Sequence, residues 1–217
     1  MSRYQMIVFD WDGTLMDSTR DITRAIQAAS ADLGLPVPDD ERASWVIGLS
    51  LQQALDHAVP GLSDRDRAKF LERYRYHYLR RDTELQLFEG VEELLDSLAC
   101  RGVLLAVATG KSRLGLNRAL QGSPIASYFS ATRCADETFS KPHPAMLLEL
   151  MDELYVEPEK VLMVGDTSHD LNMAANAKVH GLGVTYGAHS VDELKRHPHE
   201  ALADDIATLQ DWLIQRV

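Results

Sequence analysis

Four short segments of this sequence carry side chains whose types suit the handling of a charged, oxygen-rich group. Asp10 and Asp12 stand two apart in Asp10-Trp11-Asp12-Gly13-Thr14. Thr109-Gly110-Lys111-Ser112 offers a hydroxyl, a lysine and free backbone amides. Ser140-Lys141-Pro142 adds a second lysine, and Gly165-Asp166-Thr167-Ser168-His169-Asp170 adds two more carboxylates. Carboxylates brought together repel one another unless a cation sits between them. A set of hard oxygen donors of this kind suits Mg²⁺. A carboxylate beside such an ion can attack phosphorus and form an aspartyl-phosphate. A lysine, a hydroxyl and amides at a helix N-terminus are the natural stabilisers of the transferred group.

Such residues act together only if the chain folds them to one place, and the apolar pattern says that it does. Met6–Phe9, Val103–Ala108 and Val161–Val164 are apolar runs of the kind that form strands buried on both faces. Tyr128–Arg133 reads as a weaker strand, Leu182–Thr185 as a strand with an internal glycine, and Leu202-Ala203 as a short edge strand. Helical patterns lie between them: Val91 to Arg101, Ser112 to Leu120, Pro144 to Leu154, Leu171 to Lys178, Val191 to Arg196 and Ile206 to Arg216. Strands alternating with helices predict an α/β fold with a doubly wound, mostly parallel sheet. In such a sheet ligands bind at the carboxyl ends of the strands, which is where all four segments fall.

The alternation is interrupted after the first strand. Asp17-Ser18-Thr19 can cap a helix running to about Leu33, which Gly34-Leu35-Pro36-Val37-Pro38 ends. From there to Arg81 the chain reads as helix, with Ser50–Val59 and Ser63–Arg81 as candidates. The expected organisation is a core of residues 1–15 and 86–217 with an all-helical insert at 16–85, its hinges near Leu15–Asp17 and Leu85–Phe88.

The four segments, in this order, resemble the motifs of the haloacid dehalogenase (HAD) superfamily in its phosphatase branch. Asp10-Trp11-Asp12-Gly13-Thr14 matches D-x-D-G-T, and Thr109 ends a strand as the second motif does. Lys141-Pro142-His143-Pro144 matches K-P-x-P, and Gly165 to Asp170 matches G-D-T-x-x-D. The resemblance implies an HAD-like Rossmannoid core with an inserted helical cap, and a Mg²⁺-dependent hydrolase of a small phosphorylated metabolite. It implies Asp10 as nucleophile and metal ligand, and Asp12 as general acid/base that also ligates the metal through its carbonyl. Asp166 would be a further ligand, and Asp170 would support the ion directly or through water. Thr109 and Gly110 would hold the phosphoryl group, with Lys141 neutralising it and Asp10. Trp11 is an unusual residue between the two aspartates, and its backbone rather than its side chain should face the phosphate.

Gly48-Leu49-Ser50-Leu51-Gln52-Gln53-Ala54-Leu55 is similar to a cap signature of the phosphoglycolate phosphatase and β-phosphoglucomutase neighbourhood. Its leucines either pack the cap or face substrate, since spaced leucines are commonly core. Phosphoglycolate is the most economical substrate by resemblance. A phosphotransferase of the same superfamily is the alternative, and a non-catalytic phosphate-binding protein is a more distant one. A phosphonate hydrolase would need a cap lysine for a Schiff base, and the insert offers only Lys69, in an arginine-rich helix expected to be solvated.

The 217 residues carry 22 Lys and Arg against 33 Asp and Glu, a formal charge of −11. That balance argues against a nucleic-acid partner, even though Tyr74, Tyr76 and Tyr78 interleave with the arginines of residues 65–81. No apolar run reaches the length of a membrane span. Cys100 and Cys134 read as reduced thiols of a cytoplasmic protein, and the start of the chain runs into the first strand without a signal-peptide pattern. Lys111 is expected to be solvated or to touch phosphate, Ser112 to cap a helix, and His169 to pack or face solvent. His143, His197 and His199 are expected on the surface.

Overall fold

The computed structural model describes residues 3–80 and 86–217. Its described strands are β1 (Met6–Phe9), β2 (Leu104–Thr109), β3 (Phe129–Cys134), β4 (Val161–Gly165), β5 (His180–Val184) and β6 (Ala201–Ala203). They form one sheet in the order β3-β2-β1-β4-β5-β6, with every pairing parallel. The central β1 pairs Met6–Phe9 with Leu104–Val107 on one side and with Val161–Val164 on the other. The connections reverse direction between β1 and β4, which opens a crevice at their carboxyl ends.

Both faces of the sheet are covered, which is why its strands are apolar throughout rather than alternating. Ile7 and Phe9 point into a cluster with Leu105, Val107, Leu162 and Val164, closed by α5 (Val91–Ala99) and α10 (Ile206–Ile214) through Leu94, Leu98, Leu209 and Leu213. Met6 and Val8 point the other way, onto Met146, Leu147 and Leu150 of α7 (Ala145–Leu154) and Met173 and Ala174 of α8 (Ser168–Ala177). Helices α6 (Arg113–Leu120) and α9 (Val191–Leu194) complete this α/β part.

A third apolar cluster lies apart from the sheet. Helices α1 (Thr19–Asp32), α2 (Asp40–Trp45), α3 (Leu51–Ala58) and α4 (Asp64–Leu79) gather Ile22, Ile26, Val46, Ile47, Leu49, Leu55 and Phe70. The chain enters and leaves this block through two adjacent strips. Phe88 N–H donates to the Leu15 carbonyl (3.0 Å), and Asp17 N–H donates to the Gln86 carbonyl (2.9 Å). The expected end of the last block helix at Arg81 and the hinge residue Leu85 lie outside the described residues. No described helix is long and apolar enough to cross a membrane.

Most element ends shift by one or two residues from expectation. β3 ends at Cys134 rather than Arg133, and β5 begins at His180, two residues before Leu182. α8 begins at Ser168 instead of Leu171, because Thr167 and Asp170 form a reciprocal capping box. Its first turn therefore holds residues that periodicity alone assigns to a loop.

Phe70 is fully buried in the helical block. Phe70→Ala is expected to cost roughly 3–5 kcal/mol in denaturant unfolding. A loss below about 1 kcal/mol would contradict a block packed around this ring.

Candidate active site

The chain leaves β1 at Asp10, whose N–H donates to the Val164 carbonyl of β4 (2.9 Å). Trp11 turns its side chain into the core, edge-on to Phe129 at 6.3 Å between ring centres. Gly13 then takes φ +81°, a left-handed conformation that only glycine adopts freely. A Cβ there would stand 2.2 Å from Asp166 Oδ2, so the turn packs tightly against the carboxylate that follows β4.

Asp10, Asp166 and Asp170 are fully buried, and one oxygen from each lies within 4.8 Å of the others. Lys141, also fully buried, places Nζ 2.7 Å from Asp10 Oδ1 and 2.7 Å from Asp170 Oδ1. Asp170 Oδ2 accepts from the Thr167 hydroxyl (2.6 Å) and N–H (3.1 Å). Asp166 accepts from the Thr14 hydroxyl (3.0 Å) and from Ala188 N–H (2.7 Å). Asp10 Oδ2 has no hydrogen-bond partner among the described residues.

When ionised, three carboxylates against one ammonium leave a net of two negative charges in a buried site. Burial, and then the Asp170 carboxylate, push the Asp166 acid up to about 7. Burial raises Asp10 well above the usual carboxylate range, although the Lys141 ammonium pulls it down. An unpartnered buried carboxylate oxygen facing other carboxylates is costly. A hard divalent cation removes that cost, and the donor set is of the oxygen-only kind that Mg²⁺ takes.

Asp12 stands outside this cluster. Its Oδ1 accepts from the Ser18 hydroxyl (2.6 Å) and lies 3.0 Å from Lys111 Nζ. Ser18 occupies the N-cap position of α1 but makes no side-chain cap bond; the hydroxyl expected to cap that helix holds Asp12 instead. Lys111 is not solvated. Its side chain is 12% exposed, and Nζ donates to the Tyr78 hydroxyl of α4 at 2.9 Å. Burial lowers its basicity, but the Asp12 carboxylate and Tyr78 outweigh that and raise it.

Thr109 ends β2 with its side chain buried, and Lys111 N–H donates to Thr109 Oγ1 (3.2 Å). Ser112 caps α6, accepting from Gly115 N–H, as expected. At Gly110 a Cβ would lie 2.5 Å from the Leu49 carbonyl oxygen and 2.6 Å from that of Gly48. The helical block thus reaches the ends of β1 and β2 through Gly48-Leu49, and only a glycine at 110 admits so close an approach. Between them lies a chamber of about 710 Å³, walled by Asp12, Gly110 and Lys111 on one side and by Ile47, Leu71 and Tyr74 among others on the other. Leu49 and Leu55 are buried in the block and also line the chamber, as does half-buried Leu51.

Trp45 and His189, which the sequence reading did not single out, join His169 in tying the two parts together. The Trp45 carbonyl lies 2.9 Å from both His169 Nε2 and His189 Nε2. A carbonyl only accepts, so both rings carry their proton at Nε2. His189 Nδ1 accepts from Ser168 N–H (3.0 Å), which makes that ring neutral. Burial lowers the His169 pKa to about 4 and lowers that of His189 as well. Ser140, next to Lys141, accepts from Ser50 N–H at 2.9 Å. Lys69 is exposed and paired with Asp66, far from Schiff-base chemistry. His143 and His199 are exposed, and half-buried His197 contacts Asn172 and Glu193.

Residues 7–184 match the haloacid dehalogenase-like hydrolase family. The chain is 36% identical over 205 residues to a protein of Dickeya dadantii named probable phosphatase IndB, covering 92% of this chain and 89% of that one. It is 34% identical over 215 residues to a 5′-nucleotidase of Pseudomonas aeruginosa, covering 97% and 96%. A phosphoglycolate phosphatase of Vibrio vulnificus is 33% identical over 220 residues, with 97% and 96% covered. A solved structure from Haemophilus somnus 129PT, titled a predicted phosphoglycolate phosphatase, superposes with a TM-score of 0.85 at 26% identity, covering 98% and 99%. A hydrolase from Pseudomonas syringae shares the fold at a TM-score of 0.86 and 22% identity, covering 97% and 98%. Matched to the family over most of its length, and to relatives above 30% identity along nearly all of it, the chain belongs to the haloacid dehalogenase-like hydrolases.

Proposed function

We propose that this protein is a Mg²⁺-dependent phosphatase that hydrolyses small phosphate monoesters through a phosphoenzyme on Asp10. The observation that carries this reading is Asp10 Oδ2. It is a buried carboxylate oxygen at the sheet's crevice with no partner among the described residues, while Lys141 pins the other oxygen.

In the first step an oxygen of Asp10 attacks phosphorus and the bond to the leaving oxygen breaks. Asp12 gives its proton to that oxygen. In the second step Asp12 takes a proton from water as the water oxygen attacks phosphorus, the bond to Asp10 breaks, and phosphate leaves. The Thr109 hydroxyl, the Gly110 amide and the Lys141 ammonium hold the phosphoryl oxygens as charge builds on them. Asp10, Asp166 and the Asp12 carbonyl would hold Mg²⁺, with Asp170 in support. When bound, the ion neutralises charge on the transferring group.

Residues 1–15 and 86–217 act as the catalytic core and 16–85 as a cap. The paired strips at 15–17 and 86–88 are the hinge, and the Trp45 carbonyl on His169 and His189 is the closing contact. A closed cap keeps bulk water out during transfer. Phosphoglycolate is the first ester to test, on the resemblance and on relatives such as that of Vibrio vulnificus. The chamber also has room for a larger leaving group, and nucleoside monophosphates come next, since one relative is a 5′-nucleotidase.

A panel of phosphoglycolate, sugar phosphates, nucleotides and a chromogenic ester is expected to release phosphate with Mg²⁺ and not without it. Asp10→Asn is expected to lose on the order of 10³-fold or more. Isomerised sugar phosphate in place of free phosphate would mark the transferase instead, and no release from any ester would contradict the hydrolase reading.

A second prediction concerns binding alone. Without a cation, Asp166 holds a proton up to about pH 7 in the folded state, whereas the unfolded carboxyl loses it near pH 4. The folded state therefore binds more protons in that window, and this group's contribution to stability falls as pH rises through it. A cation competes with the same proton. The rise in Tm on adding Mg²⁺ is expected to be largest near pH 8, to shrink toward zero near pH 5, and to vanish in Asp166→Asn. A rise that does not depend on pH would contradict this ligand set.

A further inference from the structure

The Asp12 carboxylate is held by one residue of its own loop and one of the next. Ser18 Oγ donates to Oδ1 at 2.6 Å, and Lys111 Nζ lies 3.0 Å from the same oxygen. Both contacts fall on one oxygen, and Oδ2 has no hydrogen bond among the described residues. Lys111 is held in turn from the helical block: its Nζ donates to Tyr78 Oη at 2.9 Å and lies 5.0 Å from the Tyr78 ring centre. Tyr78 packs face to face on Tyr74 one turn earlier in α4, at 5.9 Å and 15° between rings. All four residues other than Ser18 line the chamber. A chain of contacts thus runs from α4 through an ammonium to the carboxylate of Asp12.

We propose that Tyr78 and Lys111 form a clamp through which the closed helical block orients the Asp12 carboxylate toward the leaving oxygen. Lys111 and Tyr78 are positioning residues, and they act through Asp12. The inference rests on the proposed acid/base role of Asp12. With Oδ1 fixed by Ser18 and Lys111, Oδ2 is the oxygen that carries the proton. When the block swings away, Tyr78 leaves Lys111, and the ammonium is free to turn from Asp12. Proton transfer is then best aligned only while the chamber is shut. This couples closure to chemistry without a residue of the block touching the phosphoryl group.

A clamp of this kind has a signature that lost packing does not. Departure of an alkyl alcohol needs a proton from Asp12, whereas departure of 4-nitrophenolate does not. The ratio kcat/KM reports only the steps up to departure of the leaving group, so it isolates this proton transfer from the later attack of water. The experiment measures kcat/KM for 4-nitrophenyl phosphate and for the alkyl ester that the wild type cleaves best. Wild type, Tyr78→Phe, Lys111→Met, the double variant and Asp12→Asn are compared.

The alkyl-to-aryl ratio is expected to fall about ten-fold in Tyr78→Phe and at least as far in Lys111→Met, part of the 10²–10⁴ that a general acid contributes. The double variant should match Lys111→Met alone, because Tyr78 acts through that lysine. Asp12→Asn should show the largest fall. If Asp12→Asn leaves the ratio unchanged, the acid role of Asp12 fails and the clamp fails with it. If Asp12→Asn lowers the ratio but Tyr78→Phe and Lys111→Met lower both esters equally, or their effects add, the clamp alone is overturned.

Discussion

The ammonium of Lys141, buried between Asp10 and Asp170, is the contact on which the rest of this site depends. Removing carboxylates from water costs several kcal/mol each unless opposite charge repays it. Three fully buried carboxylates cannot stand within 4.8 Å of one another on packing alone. One lysine offsets part of their charge. With all three ionised, two negative charges remain, which the proposed divalent ion would meet. The fold supplies the geometry: β1 and β4 lie side by side where the connections reverse, so Asp10 and Asp166 emerge at one crevice. The capping box that starts α8 turns Asp170 back toward Lys141.

The helical block acts on the same edge from outside. Among its described residues none adds a carboxylate to the cluster, and its apolar residues pack on each other instead. What it brings is backbone and shape. The Gly48 and Leu49 carbonyls press on Gly110, and the Trp45 carbonyl takes a proton from each of two neutral imidazoles. His169 and His189 are both donors to that one carbonyl and so are spoken for as hydrogen-bond partners of the block.

Much of this could be read in the sequence, for a physical reason. Strands buried on both faces are apolar without interruption, so β1, β2 and β4 stood out, and the polar residues after them had to lie at one edge. The start of α8 was hidden because Thr167 and Asp170 serve both the cap and the cluster. Periodicity does not register a first turn made of polar residues. Lys111 was left between solvent and phosphate because its partner Tyr78 lies 33 residues away in sequence, across the interruption in the fold. The pairing of Trp45 with His169 and His189 was out of reach for the same reason. Ser18 looked like a helix cap and is one by position, but a nearby carboxylate competes for its hydroxyl and wins.

The central claim is that Asp10 carries the phosphoryl group between the two steps. Its most direct test is to trap that group. An Asp12→Asn variant keeps the Asp10 cluster and lacks the carboxylate that activates water, so the phosphoenzyme should accumulate. Incubation with Mg²⁺ and 4-nitrophenyl phosphate, followed by acid quench and peptide mass spectrometry, is expected to find one phosphoryl group on the peptide bearing Asp10, and none when Asp10→Asn is added. Phosphate released with no covalent species in the quenched protein, or with the label on another residue, would contradict the account.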